Sequence, residues 1–160
     1  MNLHAQAAGP FRILVKVHKE PIAARPICNL SRTFLKQSAQ LLTLELQKLK
    51  IEGDHTLSSA DDALLKLRSA DVHEGTWLTL DVVSLYRRIN RGHMLQTISQ
   101  EIRKRTSALQ ASFLITLMGF VLDNSFVTTK GRTFESTTGI PTGLSCAVVL
   151  ANSYLSVLDR

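Results

Sequence analysis

Apolar and polar positions alternate along Phe11-Arg-Ile-Leu-Val-Lys-Val-His-Lys19. Phe11, Ile13, Val15 and Val17 fall on one face, and Arg12, Leu14, Lys16 and His18 on the other. Period-two spacing predicts a strand. Glu20-Pro21 predicts a turn, and Ala24–Leu30 can return as a second strand that Pro26 confines to an edge. From Thr33 to Lys50 the period changes. Leu35, Leu42, Leu46 and Leu49 form one helical stripe, with Gly53 beyond its end. Ser58 or Ser59 can cap a further helix to about Arg68. In 76–83, Trp77, Thr79 and Asp81 alternate with Leu78, Leu80 and Val82, which predicts a third strand. Helices follow over His93–Arg105, with Met94, Leu95, Ile98 and Ile102 inward, and over Ser107–Asp123. Ser125–Lys130 and Arg132–Ser136 suit a hairpin turning at Lys130-Gly131. The loop Thr137–Gly143 then feeds a helix from Leu144 to about Leu158. This order predicts an α+β fold in which a small antiparallel sheet packs against helices.

Composition narrows the classes. The 160 residues are 44% hydrophobic and 20% charged, the balance of a globular chain of single-domain length. The longest apolar run, Phe113–Leu122, falls short of the roughly 18 residues a membrane span needs, so no membrane partner is expected. The first ten residues hold no apolar core of a secretory signal, so the expected location is intracellular, and nuclear in a eukaryotic host. Cys28 and Cys146 lie too far apart for a zinc or redox motif and read as buried free thiols. Aromatic residues are 6% of the chain, too few for a base-stacking platform.

Net charge is +6, and its distribution is uneven. Arg12, Lys16, Lys19, Arg25, Arg32 and Lys36 face Glu20 alone in the first 36 residues. Residues 37–86 are acidic. Arg87, Arg88, Arg91, Arg103, Lys104 and Arg105 then face Glu101 alone. Two basic blocks around an acidic segment suit a polyanionic partner, because each cation that meets a phosphate releases a counterion.

Three features can carry chemistry. Asp81 stands in a strongly apolar segment, where an unpaired buried carboxylate costs several kcal/mol, so it requires a partner, a metal or solvent. Gly139 and Gly143 open a helix-entry loop in which backbone N–H groups can approach an anion or a base. No Lys follows Gly143, so this is not a Walker loop. Lys16 and Arg25 share the amino-terminal hairpin, where two cations can clamp a triphosphate. Ser145, in Gly143-Leu-Ser-Cys-Ala147, fails as a nucleophile elbow, since it lacks a preceding strand and a following His. His4, His18, His55, His73 and His93 show no zinc-ligand spacing.

Together these segments resemble a family. Leu14-Val-Lys-Val-His-Lys19 followed by Arg25-Pro-Ile27 resembles the fingers signature of Penelope-like reverse transcriptases. Leu80-Asp-Val-Val-Ser-Leu-Tyr86 is similar to that family's first palm motif, and Gly139-Ile-Pro-Thr-Gly143 with Ala151-Asn152 to its second. The resemblance implies the fingers and partial palm of a right-hand polymerase, with a fingers-like region at 1–75 and a partial palm at 76–160. It implies RNA-directed DNA synthesis on an RNA template from a DNA primer, with dNTP as substrate and Mg2+ as cofactor. Asp81, with the Val82 carbonyl, would hold magnesium. Lys16 and Arg25 would hold the triphosphate, Tyr86 would exclude a 2′-hydroxyl, and Thr142 and Gly143 would floor the nascent base pair. From charge rather than from the resemblance, Lys19, Arg87, Arg88 and Arg91 are expected against a nucleic-acid backbone.

The chain also departs from that pattern. Arg87-Arg-Ile-Asn90 replaces the usual Thr-Asn-Ile-Pro, no Gln precedes Gly139, and Pro141-Thr142 replaces Ala-Met. No aromatic-Asp-Asp motif follows the glycine loop. Asp61-Asp62 precedes Asp81 at a helix start and reads as N-terminal helix charge. One carboxylate cannot hold two magnesium ions against water, so these residues alone are expected to be inactive. The rival readings are a catalytically dead nucleic-acid-binding remnant of a retroelement, another right-hand polymerase such as the group II intron type, and a plain structural domain.

Overall fold

The computed structural model describes residues 8–17, 20–51, 57–69 and 78–159. Lys19, Gly53, Thr76 and Trp77 lie outside them. Among the described residues the fold is mixed α+β, with four strands and six helices. In chain order these are β1 (Ala8–Lys16), β2 (Ala23–Cys28), α1 (Leu35–Lys48), α2 (Ala60–Ser69), α3 (Leu85–Arg88), α4 (Arg91–Arg105), α5 (Ala108–Asp123), β3 (Phe126–Thr129), β4 (Arg132–Glu135) and α6 (Ala147–Leu158). No helix among them is long and apolar enough to cross a membrane.

The sheet runs β2-β1-β3-β4. β1 and β2 pair antiparallel from Phe11↔Cys28 to Lys16↔Ala23, with Pro26 on the edge strand as expected. β3 and β4 form the second hairpin. Its turn places Lys130 and Gly131 at φ 48° and 73°, the left-handed pair that a tight two-residue hairpin requires. β1 and β3, however, pair in parallel, Ala8↔Phe126 through Pro10↔Thr128. The sheet is therefore mixed, not antiparallel as the sequence reading has it. Parallel neighbours need a crossover, and here the helical segment between β2 and β3 supplies it. Strands from both sides of residue 75 share this one sheet.

The expected strand at 76–83 is the second correction. Residues 78–82 are irregular, and Val83 and Ser84 form a turn. Alternation fits a segment to a sheet, but a strand also needs a neighbour to complete its ladder of hydrogen bonds. Residues 78–83 have no such neighbour among the described residues, and Leu78 and Leu80 are 77% and 85% exposed.

The helices follow their apolar stripes. α1 buries Leu35, Ala39, Leu42 and Leu46. α4 buries Met94, Ile98 and Ile102, and α5 buries Ala111, Leu114, Met118, Val121 and Leu122. With much of α6 these form one core, where each fully buried aliphatic side chain contributes about 1.5–3 kcal/mol. Asn90 caps α4 by accepting from the His93 amide at 3.0 Å, and Ser107 caps α5 by accepting from that of Gln110 at 3.4 Å. The Ser59 hydroxyl accepts from the Asp62 amide at 3.1 Å, and Asp62 reaches back to the Ser58 amide at 3.0 Å, a reciprocal cap for α2. Across the core, His93 Nδ1 and the Tyr154 hydroxyl lie 2.7 Å apart and tie the start of α4 to α6.

Candidate functional site

The glycine loop sits between two other segments. Gly139 has φ +63°, and a Cβ there would lie 2.2 Å from the Tyr86 carbonyl oxygen and 2.9 Å from Arg87 Cα. Only a residue without a side chain permits both that conformation and that approach. The next amide, of Ile140, donates to the Tyr86 carbonyl at 2.8 Å. At the other end, a Cβ on Gly143 would lie 1.5 Å from the Cys28 carbonyl oxygen. Both glycines thus serve close backbone approach: Gly139 to the segment that begins at Asp81, Gly143 to the end of the basic hairpin. Helix α6 starts only at Ala147, so Gly143 does not open it. Turns from Pro141 to Leu144 and from Leu144 to Ala147 intervene.

Tyr86 lies in α3, a single turn entered through Ser84 at φ 56°, and its half-buried side chain packs against the core. Asp81 is exposed, and it has no hydrogen-bond or ion-pair partner among the described residues. Five residues of chain reach at most about 18 Å, so the Asp81 Cα lies within that distance of the Tyr86 Cα. Val82 is also exposed.

On the hairpin, Lys16 is half-buried and Arg25 exposed. The register Leu14↔Arg25 and Lys16↔Ala23 sets Lys16 and Arg25 on the same face of the ribbon. Arg12 shares that face. The alternation that groups Arg12 with Lys16 was present in the sequence, but the pairing with Arg25 was not. Thr142, Gly143 and Ser145 line a cleft of about 210 Å3 with Ser31, Lys36 and Gln40 of the facing segment. Lys36 is a cation at this cleft that the motif reading omits.

The second basic block divides. Arg87 and Arg88 are exposed at the end of α3. Arg91 turns inward. Its Nε donates to the Gly139 carbonyl at 3.1 Å, Nη1 to Leu122 at 3.3 Å and Nη2 to Ser136 at 2.6 Å. Burial pushes the Arg91 pKa down, and Asp123 and Glu135 oppose that shift. Arg91 therefore clamps the glycine loop to the end of α5. Glu101, expected as an isolated acid among cations, is buried and receives Lys104 at 2.7 Å and also Arg105. Lys104 and Arg105 are thus engaged within their own helix.

The cysteines are free thiols, Cys28 half-buried and Cys146 buried. Burial raises both pKa values, that of Cys146 to about 12. Among the described residues no three of His, Cys, Asp and Glu gather where a metal ion could sit. Magnesium takes six oxygens in near-octahedral geometry and is commonly held by one or two carboxylates together with substrate phosphates. Asp81 and the Val82 carbonyl alone do not make that site.

No family model matches the chain, and neither the curated proteins nor the solved structures return a match.

Proposed function

We propose that this chain is the fingers and part of the palm of an RNA-directed DNA polymerase of the Penelope-like type, working as part of a larger assembly of residues. The observation that carries the reading is the Ile140 amide bonded to the Tyr86 carbonyl. It supports a shared site because it joins the two segments that resemble palm motifs, while Gly143 abuts the end of the hairpin that resembles the fingers motif. In this reading Lys16 and Arg25 bind the triphosphate of dNTP. The Tyr86 ring limits the space beside the sugar. Thr142 and Gly143 leave room for the base pair between RNA template and DNA primer. Asp81 contributes one carboxylate toward magnesium, which in this chemistry neutralises charge on the transferring phosphate. Transfer needs further carboxylates that the described residues do not gather, so the 160 residues alone bind and orient but do not polymerise.

The second reading, a nucleic-acid-binding remnant without catalysis, is favoured by that same lone carboxylate. Primer extension on an RNA template, by the longest reading frame that contains these residues, separates the two. Extension that is abolished by Asp81→Asn is the expected result. Extension that survives the substitution removes Asp81 from the mechanism, and no extension at all leaves the remnant reading in possession. Tyr86→Ala should in addition admit ribonucleotides that the unaltered protein rejects.

A further inference from the structure

The register of the first hairpin gathers more charge than the fingers signature requires. β1 presents Arg12, Leu14 and Lys16 on one face, and their partners on β2 are Ile27, Arg25 and Ala23. Cross-strand partners point to the same side of a ribbon. Arg25 therefore stands opposite Leu14, midway along the row from Arg12 to Lys16. Diagonal neighbours on one face lie about 7–8 Å apart, so Arg25 is close to both other cations, while Arg12 and Lys16 are about 13–14 Å apart along the strand.

None of the six residues on this face is acidic. The side chains of Arg12, Lys16 and Arg25 have no hydrogen-bond or ion-pair partner among the described residues. The opposite face carries Ile13 and Val15, 61% and 54% exposed, so the ribbon projects into solvent with its cations on one side. Three like charges at this spacing repel one another, and a chain of phosphates set along the row relieves all three at once.

We propose that Arg12, Lys16 and Arg25 together form a phosphate-chain-binding face on the hairpin, with Arg12 extending the Lys16–Arg25 pair toward the body of the protein. Arg12 lies nearer than Lys16 to Pro10, whose carbonyl accepts from the Asn29 amide at 3.1 Å, and Asn29 in turn adjoins Gly143. The row thus leads from the hairpin tip to the glycine loop. Only the identification of the phosphate chain as that of a nucleotide rests on the polymerase reading; the face itself does not.

The experiment is titration of the 160-residue chain with inorganic tripolyphosphate, and in a second arm with a short single-stranded oligodeoxynucleotide. Losing one charge-assisted contact should weaken tripolyphosphate binding about tenfold in Arg12→Gln. Arg12→Lys should restore most of that loss. Arg132→Gln removes an equal charge from β4 of the same sheet and should change affinity by less than about twofold. For the oligonucleotide, Arg12→Gln should also reduce the salt slope by about 0.7, one phosphate contact on a single strand. An Arg12 effect confined to tripolyphosphate supports the face and a nucleotide as its ligand. An effect confined to the oligonucleotide supports the face with strand phosphates as its ligand. Equal losses in Arg12→Gln and Arg132→Gln, or no binding of either probe, overturn the proposal. Because the readout does not involve Asp81, an Arg12 effect that persists while primer extension fails counts against the polymerase reading alone.

Discussion

The backbone carbonyl of Tyr86 accepts the amide of Ile140 at 2.8 Å, and the same oxygen lies 2.2 Å from where a side chain on Gly139 would begin. The hydrogen bond and the missing Cβ depend on each other. A side chain at 139 would push the carbonyl away and break the contact that fixes α3 to the glycine loop.

Gly139→Ala should therefore be costly on two counts, a left-handed φ and a steric clash with backbone. Together they should lower stability by about 2–4 kcal/mol. In a chain of this size each kcal/mol moves the melting temperature by roughly 2–4 °C. Gly131→Ala is the matched control. It has φ +73° but nothing within 4 Å of its Cβ, so only conformational strain of about 1 kcal/mol applies. Thermal melts of the two variants check the difference, and equal shifts would mean that the approach to Tyr86 carries no weight.

Gly143→Ala acts at the other end. Its Cβ would lie 1.5 Å from the Cys28 carbonyl, so the loop must separate from the end of β2. Cys28 is half-buried, and burial raises its pKa. Separation should expose this thiol and speed its alkylation at neutral pH. Cys146, with its pKa raised to about 12 by burial, should stay unreactive in both proteins, which makes it an internal reference in a mass-resolved labelling time course.

What the sequence revealed was local. Helical stripes such as Leu35, Leu42 and Leu46 are fixed by neighbours three and four residues away, and caps such as Ser59 act within one turn. The Lys130-Gly131 turn was legible for the same reason. Non-local partners were not. The segment Leu78–Val83 has the alternation of a strand but no neighbour among the described residues, and the parallel match of Ala8 with Phe126 has no local signature at all. At the candidate site the grouping of Arg12 with Lys16 could be read from alternation, but Arg25 joined them only through register. Arg91 looked like the other cations of its block because composition does not show where a guanidinium turns. Gly139 and Gly143 stood out in the sequence as a loop open to an anion or a base, whereas the close approaches they make, to Tyr86 and Cys28, came only from the fold.

The difference between Arg91 and its neighbours gives a third prediction. Arg91→Ala leaves the carbonyls of Gly139 and Ser136 without their shared donor, while that of Leu122 keeps the Ser125 amide. Leaving such groups unpaired costs about 1–3 kcal/mol. Arg91→Lys should recover little, since an ammonium cannot reproduce the fixed fork of a guanidinium. Arg87→Ala and Arg88→Ala, both on the exposed end of α3, should stay within about 0.5 kcal/mol of the unaltered protein. If the second basic block touches nucleic acid, Arg87 and Arg88 should each shift the salt dependence of oligonucleotide binding, and Arg91→Lys should not. Denaturant titrations and binding isotherms on the same variants check both halves.

Glu101 gives α4 a pH-dependent contact. The hydrogen bond from Lys104, followed by Arg105, holds its pKa at about 2 against an ordinary 4.5, while burial opposes the shift. The folded-state value is depressed, so the folded protein binds this proton less readily than the unfolded chain does. Its contribution is complete above the unfolded value and is lost as pH falls through the folded one. Stability should therefore decline between about pH 4.5 and pH 2 by a component that belongs to Glu101. Glu101→Gln removes the charge without removing the side chain's bulk. It should be less stable than the unaltered protein at neutral pH and should lose less of its remaining stability across that window. Urea midpoints measured at several pH values in the range provide the check. Parallel pH dependence in the two proteins would show that the Lys104 and Arg105 contacts contribute nothing to the fold.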